Sequence, residues 1–184
     1  GNSNKALTGL RAAVDNGDTV ASYGKITRGS TAGTPGLAVK GNFKTTAVTF
    51  SLANINSEAS VAIQGNEKPD LYITTRTIWN KFWERAQPSQ QFAAGDSRNQ
   101  MANLGFDTVH FNGGDVVVDE HCPASHLYGL NTKFIKLAVH TKRLWSFTGW
   151  KYPTHQDAAI GQILFAGELI CMSPRLQFGL SNLS

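Results

Sequence analysis

With 184 residues the chain can form one domain, with one or two lobes, whose core needs neither a metal nor a disulfide. Charged residues are only 16% of the sequence, against about 25% in an average soluble domain, so its polar surface favours large protein contacts. The 17 Lys and Arg residues exceed the 13 Asp and Glu residues, which gives a net charge of +4. The basic residues are scattered along the sequence, which excludes a dense nucleic-acid-binding stripe but not weak contact with a polyanion.

The beginning of the chain, residues 1–41, is rich in Gly, Ser and Thr. It contains two short apolar pieces, "LTGLRAAV" and "YGKIT", and the segment "RGSTAGTPG" at residues 28–36 is a loop by composition. This composition predicts loops and short elements.

From Thr45 onwards the apolar residues recur at steps of four and three, which places them on one face of a helix. The residues on this face are Val48, Leu52, Ile55, Ala59 and Ala62. Thr45 or Thr46 is the expected N-cap, and the segment "GNEKP" at residues 65–69 is expected to end the helix.

A strand followed by a helix is the clearest local pattern. "DLYITT" at residues 70–75 predicts a buried strand, and "RTIWNKFWERAQP" predicts a helix with a Thr cap before it and Pro88 at its end. An aromatic stripe at helical spacing is far more often core than a cofactor shelf. We therefore expect core positions for Ile78, Trp79, Phe82, Trp83 and Ala86.

Two strands are predicted in "GFDTVHFNGGDVVVDE", on either side of a tight turn at residues 112–114 whose Asn and Gly residues tolerate a positive φ. "FIKLAVH" at residues 134–140 alternates, which predicts a strand with one apolar side formed by Ile135, Leu137 and Val139.

The stretch from Ala159 to Met172 is the longest strand candidate, and Ser173 and Pro174 end it. Its two faces are both apolar, so both are expected to be covered. We expect Ile163, Phe165 and Leu169 in the core, on the same face as Cys171. Strands and helices mix without strict alternation, which indicates an α+β fold.

Reactive residue types cluster only in "DEHCPASH", which contains Asp119, Glu120, His121, Cys122 and His126. A metal site or a thiolate nucleophile is one interpretation. We favour a turn, because the adjacent His121 and Cys122 point to opposite sides of an extended chain and Pro123 bends it away. We expect no catalytic residue, no metal and no cofactor, and two unbridged cysteines, Cys122 and Cys171. No apolar run has transmembrane length.

The segment "TKRLWSFTGWKY" interleaves basic and aromatic residues. Surfaces that bind single-stranded nucleic acid have this pattern, and so does an exposed β-ribbon that holds a neighbouring subunit. We favour the subunit contact and keep the nucleic-acid contact as the alternative. The candidate contact residues are Lys142, Arg143, Trp145, Trp150 and Lys151.

The order of these segments closely resembles the C-terminal half of tailed-bacteriophage major capsid proteins. Five motifs carry the resemblance. The first two are a Lys-Pro-Asp strand that enters a Thr-Thr helix start, and a Gln-Pro that ends this helix. The third is a Gly-Phe strand that leads to a hairpin and an Asp-x-x-Cys-Pro turn, the fourth is a Leu-Asn-Thr strand, and the fifth is Pro-Thr-x-Gln-Asp-Ala before the last strand. The motifs "TGLRAAVDNG" and "YGKITR" extend the resemblance over nearly the whole chain.

The resemblance implies the Hong Kong 97-type capsid fold, which has an axial lobe and a peripheral lobe. Residues 45–140 would form the axial lobe, residues 1–44 a peripheral-lobe and loop region, and residues 141–184 the peripheral β-ribbon and the C-terminus. The family's N-terminal arm, extended loop and spine helix have no counterpart before Thr45. We therefore expect this chain to fold but not to build closed shells by itself. Part of its last strand should be left without covering residues.

The function implied by the resemblance is that of a structural, non-enzymatic subunit of an icosahedral phage capsid. Its partners would be other copies in pentamers and hexamers, non-specifically held double-stranded DNA, and scaffold or decoration proteins, with no membrane. It would be located in the virion and assembled in the host bacterial cytoplasm. The alternatives are a non-specific nucleic-acid-binding module and, least favoured, a Cys/His enzyme.

Overall fold

The computed structural model describes residues 7–29, 31–86, 109–155 and 157–184. The helices in these ranges are α1 (Leu10–Val14), α2 (Pro35–Ala38), α3 (Leu52–Val61) and α4 (Arg76–Ala86). The strands are β1 (Ser22–Tyr23), β2 (Ile26–Thr27), β3 (Asn42–Lys44), β4 (Leu71–Thr74), β5 (Val109–Phe111), β6 (Gly114–Val118), β7 (Leu127–Leu130), β8 (Ile135–Val139), β9 (Ser146–Phe147), β10 (Ile163–Leu164), β11 (Gly167–Cys171) and β12 (Phe178–Leu180). Among these residues no helix has the length and apolar character needed to cross a membrane.

The largest element is a six-stranded mixed sheet, here called the large sheet, with the order β3-β12-β7-β4-β6-β5. The β12–β3 and β4–β6 pairs are parallel and the other pairs are antiparallel. Helices α3 and α4 contribute side chains to one core cluster with the sheet residues Tyr72, Val116 and Phe178. A mixed sheet with helices packed against it agrees with the α+β class expected from the sequence.

Gly129 of β7 lies opposite both Tyr72 and Phe178 in the register of the large sheet. Its missing side chain leaves room for aromatic rings, because a Cβ at Gly129 would lie 2.6 Å from Cζ of Phe178. The rings of Tyr72 and Phe178 meet edge to face, with centroids 6.0 Å apart. This close approach explains why glycine occupies the middle of a central strand.

The strand and helix predicted from residues 70–86 are confirmed as β4 and α4. Ile78, Trp79 and Phe82 are buried in the core, whereas Trp83 is only partly buried and stacks on Trp79 with centroids 5.7 Å apart. Pro88 lies outside the described residues, as does the Gly-Phe motif at 105–106. The predicted hairpin is confirmed as β5–β6, with positive φ angles of 48° at Asn112 and 83° at Gly113.

The helix predicted from Thr45 is wrong in its first turn and a half. α3 begins after Ser51, and residues 45–50 are extended instead. The backbone N–H of Val48 donates to Asn182 and that of Phe50 donates to Ser184, so the chain's last residues pair with this segment. Val48 is buried as predicted, but it reaches the core through this long-range pairing, which local spacing does not reveal. The helix also ends at Val61, before "GNEKP".

The predicted long strand from Ala159 to Met172 is instead divided into β10 and β11, which pair with β9 and β8 respectively. The division occurs at Ala166, whose N–H donates to Arg143 and whose carbonyl accepts from the N–H of His140. The expectation that both faces are covered is wrong for the described chain. Ile163, expected in the core, is 67% exposed. Phe165 and Leu169 are half-buried, so only Cys171 on this face is fully buried.

The segment before β3 is held by a buried carboxylate and a buried guanidinium. Asp15 Oδ2 accepts hydrogen bonds from the N–H groups of Gly17, Thr19 and Val20, at 2.8–3.2 Å. Arg28 lies 3.5 Å from this oxygen and donates to four backbone carbonyls, those of Val39, Val20, Ala12 and Ala13. Burial lowers the pKa of Arg28, which Asp15 partly offsets. The pair fixes the loops around α1 by satisfying backbone groups.

The large sheet draws strands from all three segments of the predicted domain division. β3 lies in residues 1–44, β12 lies in residues 141–184, and the remaining four strands lie in residues 45–140. The C-terminal strand β12 therefore lies inside the large sheet, between β3 and β7.

Candidate interaction surface

Strands β9 and β10 pair as a two-stranded hairpin. This hairpin and the described residues around it, 144–155 and 157–165, are here called the aromatic ribbon. Its strands are linked by the pairs Phe147–Ile163 and Ser146–Leu164. Beyond them, Thr148 N–H donates to Gln162, and Lys151 and Ile160 exchange two hydrogen bonds of 2.9 Å. The pairing therefore continues as far as Lys151 and gives the ribbon a defined backbone.

The ribbon exposes large apolar side chains along its whole length. Their exposed fractions range from 48% at Ile160 to 76% at Tyr152. The others are Leu144, Trp145, Phe147, Trp150 and Ile163. Large exposed apolar surfaces are uncommon on monomeric proteins, so these residues are candidates for contact with a partner.

The exposed rings are held in place by the ribbon itself. Phe147 and Trp150 meet edge to face, with centroids 5.4 Å apart. Both rings lie over Gly161, where a Cβ would be 2.6 Å from Phe147 and 3.2 Å from Trp150. The missing side chain of Gly161 thus leaves room for both rings beside the backbone of the opposite strand. The surface is organised before any partner binds, which reduces the entropy lost on association.

The base of the ribbon carries a second aromatic pair. Trp145 is 69% exposed, and its ring centroid lies 5.0 Å from that of Phe165. Trp145 has a φ of 51°, in the left-handed region that bulky residues rarely adopt. Such a conformation costs about 1–3 kcal/mol and persists where the surroundings impose it.

The five predicted contact residues all lie on or beside the ribbon. Lys142 and Arg143 lie in the turn between β8 and the ribbon, Trp145 lies at its base, and Trp150 and Lys151 lie towards its tip. All five are exposed. They were selected because basic and aromatic types alternate there, and their role as contacts stays a prediction.

The β8–β11 pair, here called the small sheet, also exposes apolar side chains. Leu137 is 54% exposed, Ile170 is 41% exposed and Met172 is 63% exposed. The apolar pattern of Ala159–Met172 predicted that Ile170 is covered, whereas the resemblance implied that part of this stretch is bare. The same pattern is produced by a strand that is covered only after association.

The Cys/His cluster does not form a reactive site. Cys122 Sγ points to the carbonyl of His126, at 3.7 Å, rather than to a ring nitrogen, and His126 Nδ1 lies 2.8 Å from the carbonyl of Ala124. Burial raises the pKa of the Cys122 thiol to about 11, which disfavours the thiolate that nucleophilic catalysis needs. Within the described ranges, Cys122 and Cys171 are free thiols and no group of three metal-ligating side chains converges.

A comparison with solved structures relates this fold to a viral one. A chain of the "Cyanophage A-1(L) capsid asymmetric unit" matches with a TM-score of 0.65 over 96% of this chain, at 13% sequence identity. This chain spans 60% of the length of that chain. No protein family model and no curated protein sequence matches. At this identity the likeness shows a shared fold, which is that of a phage capsid chain.

Proposed function

We propose that this chain is a structural subunit of an icosahedral phage capsid with the Hong Kong 97-type fold. The observation that carries the proposal is the capsid-like fold over 96% of the chain, combined with an aromatic ribbon that no described segment of the chain covers. Such a subunit works by contact alone, and the absence of an activated thiol at Cys122 fits that role.

The ribbon and the small sheet are the proposed contacts between copies. A closed shell needs heterologous contacts, in which one patch of a subunit binds a different patch of its neighbour. The ribbon supplies preorganised rings, and the small sheet supplies exposed Leu137, Ile170 and Met172. In this arrangement, pentamers and hexamers form from one type of subunit. The small sheet and the ribbon belong to the peripheral lobe, and the large sheet with α3 and α4 belongs to the axial lobe.

Electron microscopy of the complete gene product tests the shell directly. Closed particles of uniform size are the expected result. A monodisperse monomer at micromolar concentration, with native circular dichroism, would contradict the proposal. Scaffold or decoration proteins are further partners of such a shell, which is located in the virion and assembled in the cytoplasm of the host bacterium.

Non-specific contact with double-stranded DNA is the second proposed role, and the exposed Lys142, Arg143 and Lys151 favour it. Scattered cations contact phosphates without reading bases, so affinity should be low, similar for unrelated duplexes, and reduced by salt. Fluorescence anisotropy with two duplexes at two salt concentrations measures this, and Lys25→Glu, in the turn between β1 and β2, serves as a charge-matched control for Lys142→Glu. A strong preference for one duplex would instead favour a dedicated nucleic-acid-binding module.

A further inference from the structure

The chain passes between the large sheet and the small sheet at two adjacent crossings. Residues 131–134, which include a short 3₁₀ turn at Thr132–Phe134, join β7 to β8. Residues 172–177, which include a second turn at Pro174–Leu176, join β11 to β12. Because β7 pairs with β12 and β8 pairs with β11, the two crossings run antiparallel beside each other.

One buried side chain adds to the backbone hydrogen bond that already joins the two crossings, which the N–H of Met172 donates to the carbonyl of Phe134 at 2.8 Å. Gln177 is 0% exposed, and its Oε1 accepts a 2.7 Å hydrogen bond from the N–H of Asn131. Its Nε2 donates to the carbonyl oxygens of Asn131 and Ser173, both at 3.4 Å. A single amide thus satisfies both backbone groups of Asn131 on one crossing and ties them to Ser173 on the other. Without it, the buried N–H of Asn131 would lose its partner, whereas the carbonyls of Asn131 and Ser173 would keep the N–H groups of Phe134 and Leu176.

The Asn131 crossing is also fixed from the loop that precedes β4. Asn131 Nδ2 donates to Glu67 at 3.3 Å, and Glu67 forms an ion pair with Lys133. Asp70 accepts from the N–H of Thr132 at 2.8 Å and from its hydroxyl at 2.5 Å. The hydrogen bonds from Lys133 and Asn131 lower the pKa of Glu67. The loop, both crossings and the end of β7 therefore share one polar network.

We propose that Gln177 and Asn131 form an interlobe joint that fixes the orientation of the small sheet and ribbon relative to the large sheet. A hydrogen-bonded network has one favoured geometry, whereas apolar contact alone permits sliding. A third segment also holds the small sheet, since the hydroxyl of Tyr23 in the β1–β2 hairpin accepts a 2.7 Å hydrogen bond from the N–H of Cys171. The joint is a property of the folded chain and holds whether or not the chain builds a shell.

Hydrogen exchange measured by mass spectrometry tests the joint through Gln177→Leu, which removes the amide at nearly constant volume. The matched control is Gln64→Leu, the same change at an exposed position in a turn. We expect Gln177→Leu to accelerate exchange about tenfold or more in β8 and β11 while β4 and β6 keep their native rates. The control should leave all four strands unchanged.

Two spin labels measure the orientation itself. Ser60→Cys on α3 and Lys136→Cys on β8 place labels at exposed sites in a Cys122→Ser background, where Cys171 stays buried. The distance distribution should be narrow in the otherwise native chain and with Gln64→Leu, and broad with Gln177→Leu.

Two outcomes would overturn the joint and leave Gln177 as an ordinary core residue. One is an equal acceleration of hydrogen exchange in all four strands. The other is an exchange pattern without selective change together with a narrow distance distribution. If Gln177→Leu does not fold, Gln177→Glu decides the matter. It keeps the acceptor for the Asn131 N–H and loses both donors, so the same selective pattern should appear with smaller amplitude. None of these readouts depends on assembly, so failure of the joint and failure of the capsid proposal are distinguishable.

Discussion

The large sheet and the aromatic ribbon are built from similar residues and have opposite environments. In the large sheet and in α4, which packs on it, Tyr72, Phe82 and Phe178 are at most 1% exposed, because helices and strands cover them. In the ribbon, Trp145, Trp150 and Tyr152 are at least 65% exposed. Aromatic content therefore does not distinguish a core from a contact surface in this chain. What distinguishes them is whether a distant segment returns to cover the side chain.

The largest difference between the two regions should appear when a tryptophan is truncated. Trp79→Ala removes a ring that is 6% exposed, and the loss of buried surface plus the cavity should cost about 3–5 kcal/mol of unfolding free energy. Trp150→Ala makes the same change at a residue that is 65% exposed and should cost about 0.5 kcal/mol. Urea unfolding followed by circular dichroism measures both. Equal costs would show that the ribbon is part of the cooperative core.

Adding a methyl group at a glycine sharpens the same comparison. Gly129→Ala pushes a Cβ into the enclosed ring of Phe178, and overpacking of this kind costs about 1–3 kcal/mol. Gly161→Ala meets the rings of Phe147 and Trp150, which are exposed and can move into solvent, so it should cost about 0.5 kcal/mol or less. The test is the shift in thermal midpoint for each variant. A larger loss at Gly161 would mean that the ribbon rings are more rigidly held than their exposure indicates.

Alkaline pH should destabilise the covered parts of the molecule. Burial raises the pKa of Cys122 and Cys171 from 9.0 to about 11, and that of Tyr72 from 10.0 to about 12. Below about pH 9 both states keep these protons; above it the unfolded state loses them first, so the unfolding free energy falls until the folded pKa values are passed.

The measurement is the urea midpoint at about pH 8 and at about pH 10, in the native chain and in Tyr72→Phe. The unfolding free energy lost between the two pH values should be smaller in Tyr72→Phe, because this variant has no hydroxyl to titrate at position 72. The matched control is Tyr152→Phe in the ribbon, at a residue that is 76% exposed, and its loss should equal that of the native chain. If both variants behave alike, burial of Tyr72 is not a source of the pH dependence.

Local patterns were sufficient where an element is stabilised by its own neighbours in sequence. The spacing of Ile78, Trp79 and Phe82 predicted α4, and Asn112 with Gly113 predicted the hairpin, because helix faces and tight turns are decided within a few residues. The candidate contact residues beside the ribbon were selected for a similar reason, since basic and aromatic types alternate within a short segment, and their role as contacts stays a prediction.

Patterns failed where a distant segment decides the outcome. Val48 has helical spacing with Leu52 but is extended, because Asn182 and its neighbours pair with that segment. Ile163 has the pattern of a buried strand but is exposed, because no described segment covers the face on which it lies. Gln177 gave no signal at all, since its role depends on Asn131, which is 46 residues away.

Sedimentation velocity over a range of concentrations tests most directly whether the ribbon is a surface for association between copies. The native chain should show concentration-dependent association, and Trp150→Ser should weaken it at least about tenfold, because aromatic anchors dominate contact energies. The control is Val61→Ser on α3, which removes an apolar side chain that is 58% exposed on a different face. It should leave association unchanged, and both variants should unfold within about 1 kcal/mol of the native chain. Association that survives Trp150→Ser, or that Val61→Ser weakens equally, would contradict the assignment of the ribbon.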